Sequence, residues 1–210
     1  MTLIDLLTAK GTSKRLAPGS IVFHEGDRAA AVYGVVSGRV RIEVNTPTGG
    51  RLVLAVKEPG DVLGELGALD SRPRSATAVA IDDVELVQVG VDEFLESLAD
   101  EPRHAVTLLQ RISRDLRDSV DRTTARASAD TTQRLAMLLF DLVDRYGEHG
   151  ASIVEIDLSL TQDDVAGWIG ATREATARSL RTLRDKGCVM TARRRISVTD
   201  LDGLRSAALG

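Results

Sequence analysis

The sequence predicts an α+β chain: an antiparallel, barrel-like β-domain first, a small helical domain with a hairpin last, and one long helix between them. Three observations predict it. Over residues 16–89, short β-like runs are punctuated by turn residues roughly every 11 positions, the spacing of an all-β barrel or sandwich. Over residues 103–127 there is neither Gly nor Pro. Over residues 161–187, two helical stretches flank Gly170-Ala171, and a pair of short apolar runs around an arginine triplet follows.

Composition bounds the reading. The 210 residues, 43% of them hydrophobic, can form one large domain or two small ones. No apolar run approaches the roughly 18 residues that span a membrane, and the start, Met1-Thr2-Leu3-Ile4-Asp5, lacks the regions of a signal peptide. A single cysteine, Cys188, excludes an internal disulfide and a four-cysteine metal or iron–sulfur site within one chain. His24, His104 and His149 are scattered and suggest no metal cluster. These features predict a soluble cytoplasmic protein with no membrane partner. The net charge of −4 is uneven: residues 1–100 carry −5 and residues 161–195 carry +4. A basic C-terminal end on a mildly acidic body points to a polyanionic partner there.

Taken in order, residues 1–15 give weak signals, with Leu3, Ile4, Leu6 and Leu7 able to form one short helical turn. Gly26-Asp27, Ser37-Gly38, Thr48-Gly49-Gly50 and Pro59-Gly60-Asp61 are the turns of the β-region, and residues 21–23 and 32–36 are its buried-strand candidates. Val40, Ile42 and Val44 alternate with Arg39, Arg41 and Glu43, the pattern of a half-exposed strand. Residues 76–81 and 84–89 flank an Asp82-Asp83 turn. Residues 91–98 form a short helix, and Pro102 can start the next. On that long helix Leu109, Ile112, Leu116, Val120 and Thr123 follow a 3–4 spacing among charged residues. So narrow a stripe fits a two-stranded coiled-coil seam, hence a homodimer. Residues 128–131 are the expected hinge, dividing the chain into 1–102, 103–130 and 131–210. Asp130-Thr131-Thr132-Gln133 starts a further helix with a capping box; it buries Leu135, Leu138, Leu139, Leu142 and Tyr146 and stops at Gly147.

One stretch of the β-region carries chemistry. Gly64-Glu65-Leu66-Gly67-Ala68-Leu69 is followed by Arg74-Ser75-Ala76. Glycines let backbone approach an anion closely. Arg74 can make charge-assisted bonds to phosphate oxygens, and Ser75 can add a hydroxyl. Ionised Glu65 only accepts, so beside a bound phosphate it needs another part of the ligand, such as a sugar hydroxyl. One acceptor for a ribose and one clamp for a phosphate describe a nucleotide site. The combination resembles the phosphate-binding cassette of cyclic-nucleotide-binding domains, and Gly19 to Asp27 (G-x-x-x-F-x-E-G-D) resembles a second element of the same β-roll. The resemblance implies that Glu65 takes the ribose 2′-hydroxyl, that Arg74 and Ser75 take the cyclic phosphate, and that Gly64, Leu66 and Ala76 complete the site. His24 and Glu25, inside the second element, are read as strand-end surface residues.

The C-terminal end carries the second constellation. Thr161-Gln162-Asp163-Asp164 begins a short helix, Gly170-Ala171 makes a tight turn, and Thr172 can cap a helix that runs to Lys186 and ends at Gly187. At roughly 100° per residue, Ala175, Thr176, Ser179, Leu180 and Leu183 share one side of that helix. Arg173, Glu174, Ala177, Arg178, Arg181 and Arg184 share the other. Two short helices about a glycine turn, with a basic outward face on the second, read as a helix-turn-helix. Residues 189–191 and 196–198 then form a wing with Arg193, Arg194 and Arg195 at its tip, placed for phosphate contact. Residues 170–178 (G-A-T-R-E-A-T-A-R) resemble the recognition helix of the cyclic-AMP receptor protein, or Crp/Fnr, family. That resemblance implies base reading of a TGTGA-type half-site by Arg173, Glu174 and Arg178, with Thr161 and Thr172 at the same surface. The physics agrees: Arg bonds bidentately to guanine O6 and N7, and Glu accepts from cytosine N4.

The resemblance spans almost the whole chain. It implies a homodimeric transcription regulator with cyclic AMP or cyclic GMP as allosteric ligand, and double-stranded DNA and RNA polymerase as partners. Four features depart from the family pattern. The helical material that usually precedes the β-roll is mostly missing. The family's pair of adenine-contacting hydroxyls falls at Ser119 and Val120, so only Ser119 keeps one. The loop between Glu65 and Arg74 is short, and no N-terminal cysteine cluster exists. A regulator with a non-nucleotide effector or a vestigial pocket is the alternative. An enzyme is disfavoured, since no base–nucleophile set or metal cluster stands near the cassette.

Overall fold

The computed structural model describes residues 2–46, 50–149, 153–158, 160–192 and 194–210, apart from the side chains of Arg126 and His149. The predicted turn at Thr48-Gly49 and the wing residue Arg193 lie outside the described residues. By packing, the chain divides into two compact units, Met1–Val44 with Val53–Ser119, and Asn45–Leu52 with Val120–Gly210.

The β-region holds α1 (Leu3–Lys10), β1 (Thr12–Leu16), β2 (Ile21–Phe23), β3 (Ala31–Ser37), β4 (Val40–Asn45), β5 (Arg51–Lys57), β6 (Val62–Leu63), α2 (Glu65–Asp70), β7 (Thr77–Ala80) and β8 (Val84–Gly90). The strands form two four-stranded sheets, β1-β8-β3-β6 and β2-β7-β4-β5. Val35, Val40, Leu63, Ala78 and Leu86 from both sheets build one core. Helices α3 (Val91–Asp100) and α4 (Pro102–Ser128) follow. Leu3, Leu7, Phe94, Leu98 and Leu108 from α1, α3 and α4 pack with Val32, Val87 and Val89 into a second core. Burial of such side chains, about 1.5–3 kcal/mol each, is what ties the helices to the sheet.

Several expectations need correction. The N-terminal turn is an eight-residue helix. Asp5 N–H donates to Thr2 Oγ1 at 3.2 Å and Thr2 N–H to Asp5 Oδ2 at 2.8 Å, a capping box that nucleates it. Helical material therefore does precede the β-strands. The strands begin at Thr12 rather than Leu16, because the polar Thr12–Leu16 segment is a largely exposed strand paired with β8. Ile21 and Val36, expected buried, are 44% and 39% exposed at strand ends. On β4 the alternation breaks: Glu43 is buried and Val44 only half-buried. Arg41 Nε donates to Glu43 at 2.6 Å, which lets a carboxylate sit inside.

Helix α4 has two apolar faces. Ala105, Leu108 and Ile112 turn toward the second core. Val106, Leu109, Leu116 and Val120 are 53–63% exposed. The predicted seam therefore loses Ile112 to the β-domain and gains Val106.

Ala129 and Asp130 separate α4 from α5 (Thr131–Tyr146), and Asp130 with Gln133 forms the expected capping box. Leu135, Ala136, Leu139, Leu142 and Val143 are its buried face, whereas Leu138 and Tyr146 are half-buried. Then come β9 (Gly147–His149), β10 (Val154–Ile156), α6 (Gln162–Ile169), α7 (Arg173–Asp185), β11 (Val189–Ala192), β12 (Arg195–Val198) and α8 (Leu201–Leu209). The strands form one sheet in the order β11-β12-β10-β9. Leu204 of α8 is fully buried, and α8 packs on α5. Neither α8 nor β9 and β10 is expected from the pattern, being short and interrupted by Gly, Ser or Asp.

Candidate functional site

The cassette folds around Arg74. Gly64 adopts φ 81°, ψ 8°, a left-handed turn open to Gly at no steric cost, and hands the chain from β6 into α2. A Cβ there would run into the Arg74 guanidinium. Arg74 donates Nη1–H to the Gly64 carbonyl at 2.7 Å and Nη2–H to the Ala31 carbonyl at 2.5 Å. Its guanidinium lies 4.3 Å from the centre of the Phe23 ring, a cation–π contact. Phe23 belongs to the Gly19-to-Asp27 element, which also clasps Arg74 through its backbone. Gly26 N–H donates to the Arg74 carbonyl at 2.9 Å, and Arg74 N–H to the Asp27 carbonyl at 2.8 Å. The element and the cassette are thus one construction. His24 and Glu25 are exposed, as a surface reading requires.

Arg74 is 5% exposed, and its Nε–H has no hydrogen-bond partner. Among the described residues no carboxylate forms an ion pair with it. Burial pulls its pKa down, opposed by Tyr33, Glu65 and Asp27, and a guanidinium so placed stays charged. Glu65, at the first position of α2, is 7% exposed. Burial pushes its carboxyl above the ordinary carboxylate value, against the opposing pull of Lys57 and Arg74.

These side chains share a small concavity of about 60 Å³ that opens to solvent. Gly64, Glu65, Leu66, Arg74 and Ser75 line it, together with Gly67, Leu63 and three side chains that the sequence pattern does not flag: Phe23, Ile42 and Lys57. Ala76 is buried beside the cassette without lining the concavity. Ser119 is exposed on α4 and does not line it either. An orphaned N–H on a buried cation, beside a buried acceptor, fits a ligand with one anionic and one hydroxyl-bearing part. Among the described residues no group of three His, Cys, Asp or Glu could hold a metal ion.

The C-terminal constellation is a winged helix-turn-helix. Gly170 takes φ 61° between α6 and α7, and its N–H caps α6 on the Ala166 carbonyl. Thr161 serves that helix structurally: it accepts from Asp164 N–H at 3.1 Å, and its hydroxyl donates to Asp164 Oδ2 at 2.6 Å. Thr161 itself is half-buried. Thr172 caps α7 by accepting from Ala175 N–H at 3.2 Å, and stays exposed. Thr176, Ser179, Leu180 and Leu183 face inward, while Arg173, Glu174, Arg178, Arg181 and Arg184 are exposed. Arg173 lies 3.7 Å from Asp163, a loose surface pair that exchanges easily for a stronger anion. In the wing, β11 and β12 pair antiparallel. Arg194 takes φ 58° at the tip. Arg195 is not at the tip as expected but opens β12, 3.8 Å from Glu155 of β10.

Comparisons with known proteins agree with both constellations. A model of the cyclic nucleotide-binding domain matches residues 13–101, and one of the Crp-like helix-turn-helix domain matches residues 133–207. The nitrogen fixation regulation protein FixK of Azorhizobium caulinodans is 30% identical over 204 residues, covering 96% of this chain and 81% of its own. A CRP-like cAMP-activated global transcriptional regulator of Mycobacterium tuberculosis is 28% identical over 201 residues, with 93% and 90% covered. The solved structure of the c-di-GMP-responsive global regulator CLP of Xanthomonas campestris superposes with a TM-score of 0.85 at 24% identity, over 94% and 98% of the two chains. With a cyclic-nucleotide-binding domain, a long helix and a Crp-like helix-turn-helix in that order, the chain belongs to the Crp/Fnr family of DNA-binding transcription regulators.

Proposed function

We propose that this protein is a homodimeric transcription regulator whose DNA binding is controlled by a cyclic nucleotide, cyclic AMP in the first instance. The observation that carries the reading is Arg74: a buried cation with an unpartnered Nε–H and, among the described residues, no ion-paired carboxylate, lining a concavity that Glu65 also lines. Such a group asks for an anion. Arg74 and Ser75 hold the cyclic phosphate, Glu65 accepts the ribose hydroxyl, and Gly64 and Leu66 shape the wall. Two copies join along the exposed stripe of α4. Their α7 helices read a TGTGA-type palindrome through Arg173, Glu174 and Arg178, while Arg193, Arg194 and Arg195 hold phosphates. In this reading the protein works in the cytoplasm, with RNA polymerase as a partner. The named activity of the M. tuberculosis relative, cAMP-activated, supports the choice of nucleotide.

Calorimetry with cyclic AMP and cyclic GMP on the wild type and Arg74→Ala tests this. Loss of the cation from a desolvated anion site costs about 2–5 kcal/mol of binding. An Arg74→Ala protein that keeps wild-type affinity removes the assignment. A second reading, a different effector in the same cavity, is favoured by Ser119, which is exposed and away from the cavity of its own chain. Binding of neither nucleotide would select that reading.

A further inference from the structure

The cavity contains a second cation that the cassette does not supply. Lys57 ends β5 and lines the concavity. It is 9% exposed, and its ammonium donates to Asp115 Oδ2 on α4 at 2.6 Å. Its charge is also the largest pull against the burial that raises the Glu65 carboxyl's pKa. The ammonium thus ties α4 to β5 while lining the space an anion would enter. Four residues before Asp115, Arg111 pairs with Asp61 just ahead of β6. Lys57–Asp115 and Arg111–Asp61 are ionic ties between α4 and the β-domain, and Lys57 lines the cavity.

The charges at the cavity decide which contact yields. Arg74 makes no ion pair among the described residues and can take up one negative charge, whereas the Lys57 ammonium is already held by Asp115. A nucleotide oxygen that reaches Lys57 therefore competes with the Asp115 carboxylate. The Asp115 side chain is 42% exposed, so water can take it over cheaply, whereas Glu65 is 7% exposed and cannot be resolvated in place.

We propose that Lys57 is a ligand-binding residue that an anionic nucleotide takes from Asp115, so that filling the cavity releases an ionic tie between α4 and the β-domain. The proposal rests on the cavity being a cyclic-nucleotide site. It assigns Asp115 a positioning role: in the free protein it competes with the nucleotide for Lys57. A ligand shifts an equilibrium only through differential contacts, and this exchange supplies one on the helix that carries the exposed seam.

The test is a double-mutant cycle of nucleotide affinity, by calorimetry with cyclic AMP and cyclic GMP, on the full chain. Asp115→Asn is expected to bind about fivefold or more tightly, and Lys57→Met about fivefold or more weakly. The double variant should fall nearer Lys57→Met than additive effects would place it, because Asp115 acts chiefly through Lys57 and secondarily through its own charge at the site. Asp115→Asn binding no tighter, or effects that simply add, would overturn the proposal while leaving the cavity assignment intact. A wild type that binds neither nucleotide would remove the cavity assignment, and this proposal with it. Should Lys57→Met not fold, the Asp115→Asn arm decides alone, since that side chain is 42% exposed.

Discussion

Glu65 shows at the level of one side chain what the cavity costs the protein. Its carboxyl is buried and its pKa raised, so between the ordinary value and the raised one the folded state holds a proton that the unfolded chain has released. Stability therefore falls as pH rises through that window and remains lower above it. Glu65→Gln has no such titration. Urea midpoints should place Glu65→Gln above the wild type at neutral pH, with the gap closing as pH is lowered toward the ordinary carboxylate value. Nucleotide affinity should move the other way, about tenfold weaker, since a charge-assisted bond becomes a neutral one. A wild type equal to Glu65→Gln at neutral pH would mean that the buried carboxylate is not under strain. The cassette residues are legible in the sequence because they are contiguous and each has a distinct chemistry. Phe23, Ile42 and Lys57 are not, because strand pairing rather than sequence proximity brings β2, β4 and β5 to the same wall. The Phe23 ring under the Arg74 guanidinium explains the aromatic in the Gly19-to-Asp27 element, which its own spacing leaves unexplained.

Helices α4 and α7 each separate two faces, and both faces are testable. On α4, Val106, Leu109, Leu116 and Val120 expose an apolar stripe spaced three, seven and four residues apart, a pattern that a second copy would bury. Burying a leucine contributes about 1.5–3 kcal/mol, and Leu116→Arg replaces that contribution with a charge in both chains. Sedimentation should show a monomer; an unchanged dimer would put the seam elsewhere. On α7, Arg178→Ala should cost about 1–3 kcal/mol on a TGTGA palindrome and relax preference at one base pair per half-site. Replacing Arg194 and Arg195 should weaken specific and scrambled duplexes alike and flatten the salt dependence by about 0.9 per lost phosphate contact. Equal weakening of both duplexes by Arg178→Ala would make Arg178 a phosphate contact. These long or capped helices are legible because a period of 3.6 repeats often enough to stand out. The α1 helix, the polar edge strand β1, the short pair β9 and β10, and α8 with Gly203 inside it offer too few repeats, and tertiary packing decides them.

Across the whole molecule, the cavity and the α7 surface belong to different compact units, and the chain crosses the division within β4 (Val44 to Asn45), within β5 (Leu52 to Val53) and within α4 (Ser119 to Val120). The charge asymmetry in the sequence points to a polyanion at the second unit, while the ligand of the first is suggested by the cassette residues and not by the net charge of −5 over residues 1–100. A coupling between two such sites is invisible to composition or periodicity, because it is a difference in free energy between states. It has a strict consequence. If cyclic AMP raises affinity for a TGTGA palindrome by some factor, the palindrome must raise affinity for cyclic AMP by the same factor, typically about 5–150-fold. The duplex should carry half-sites about 34 Å apart, one helical turn, to match a two-fold dimer. Titrating nucleotide with and without duplex, and duplex with and without nucleotide, at one fixed salt concentration, should give equal factors, and a scrambled duplex smaller ones. A factor of one in both directions would leave DNA binding uncontrolled by the nucleotide. Unequal factors would mean that another equilibrium, dimer assembly first among them, is linked to the same sites; repeating the titrations at two protein concentrations separates that case, since only assembly depends on protein concentration.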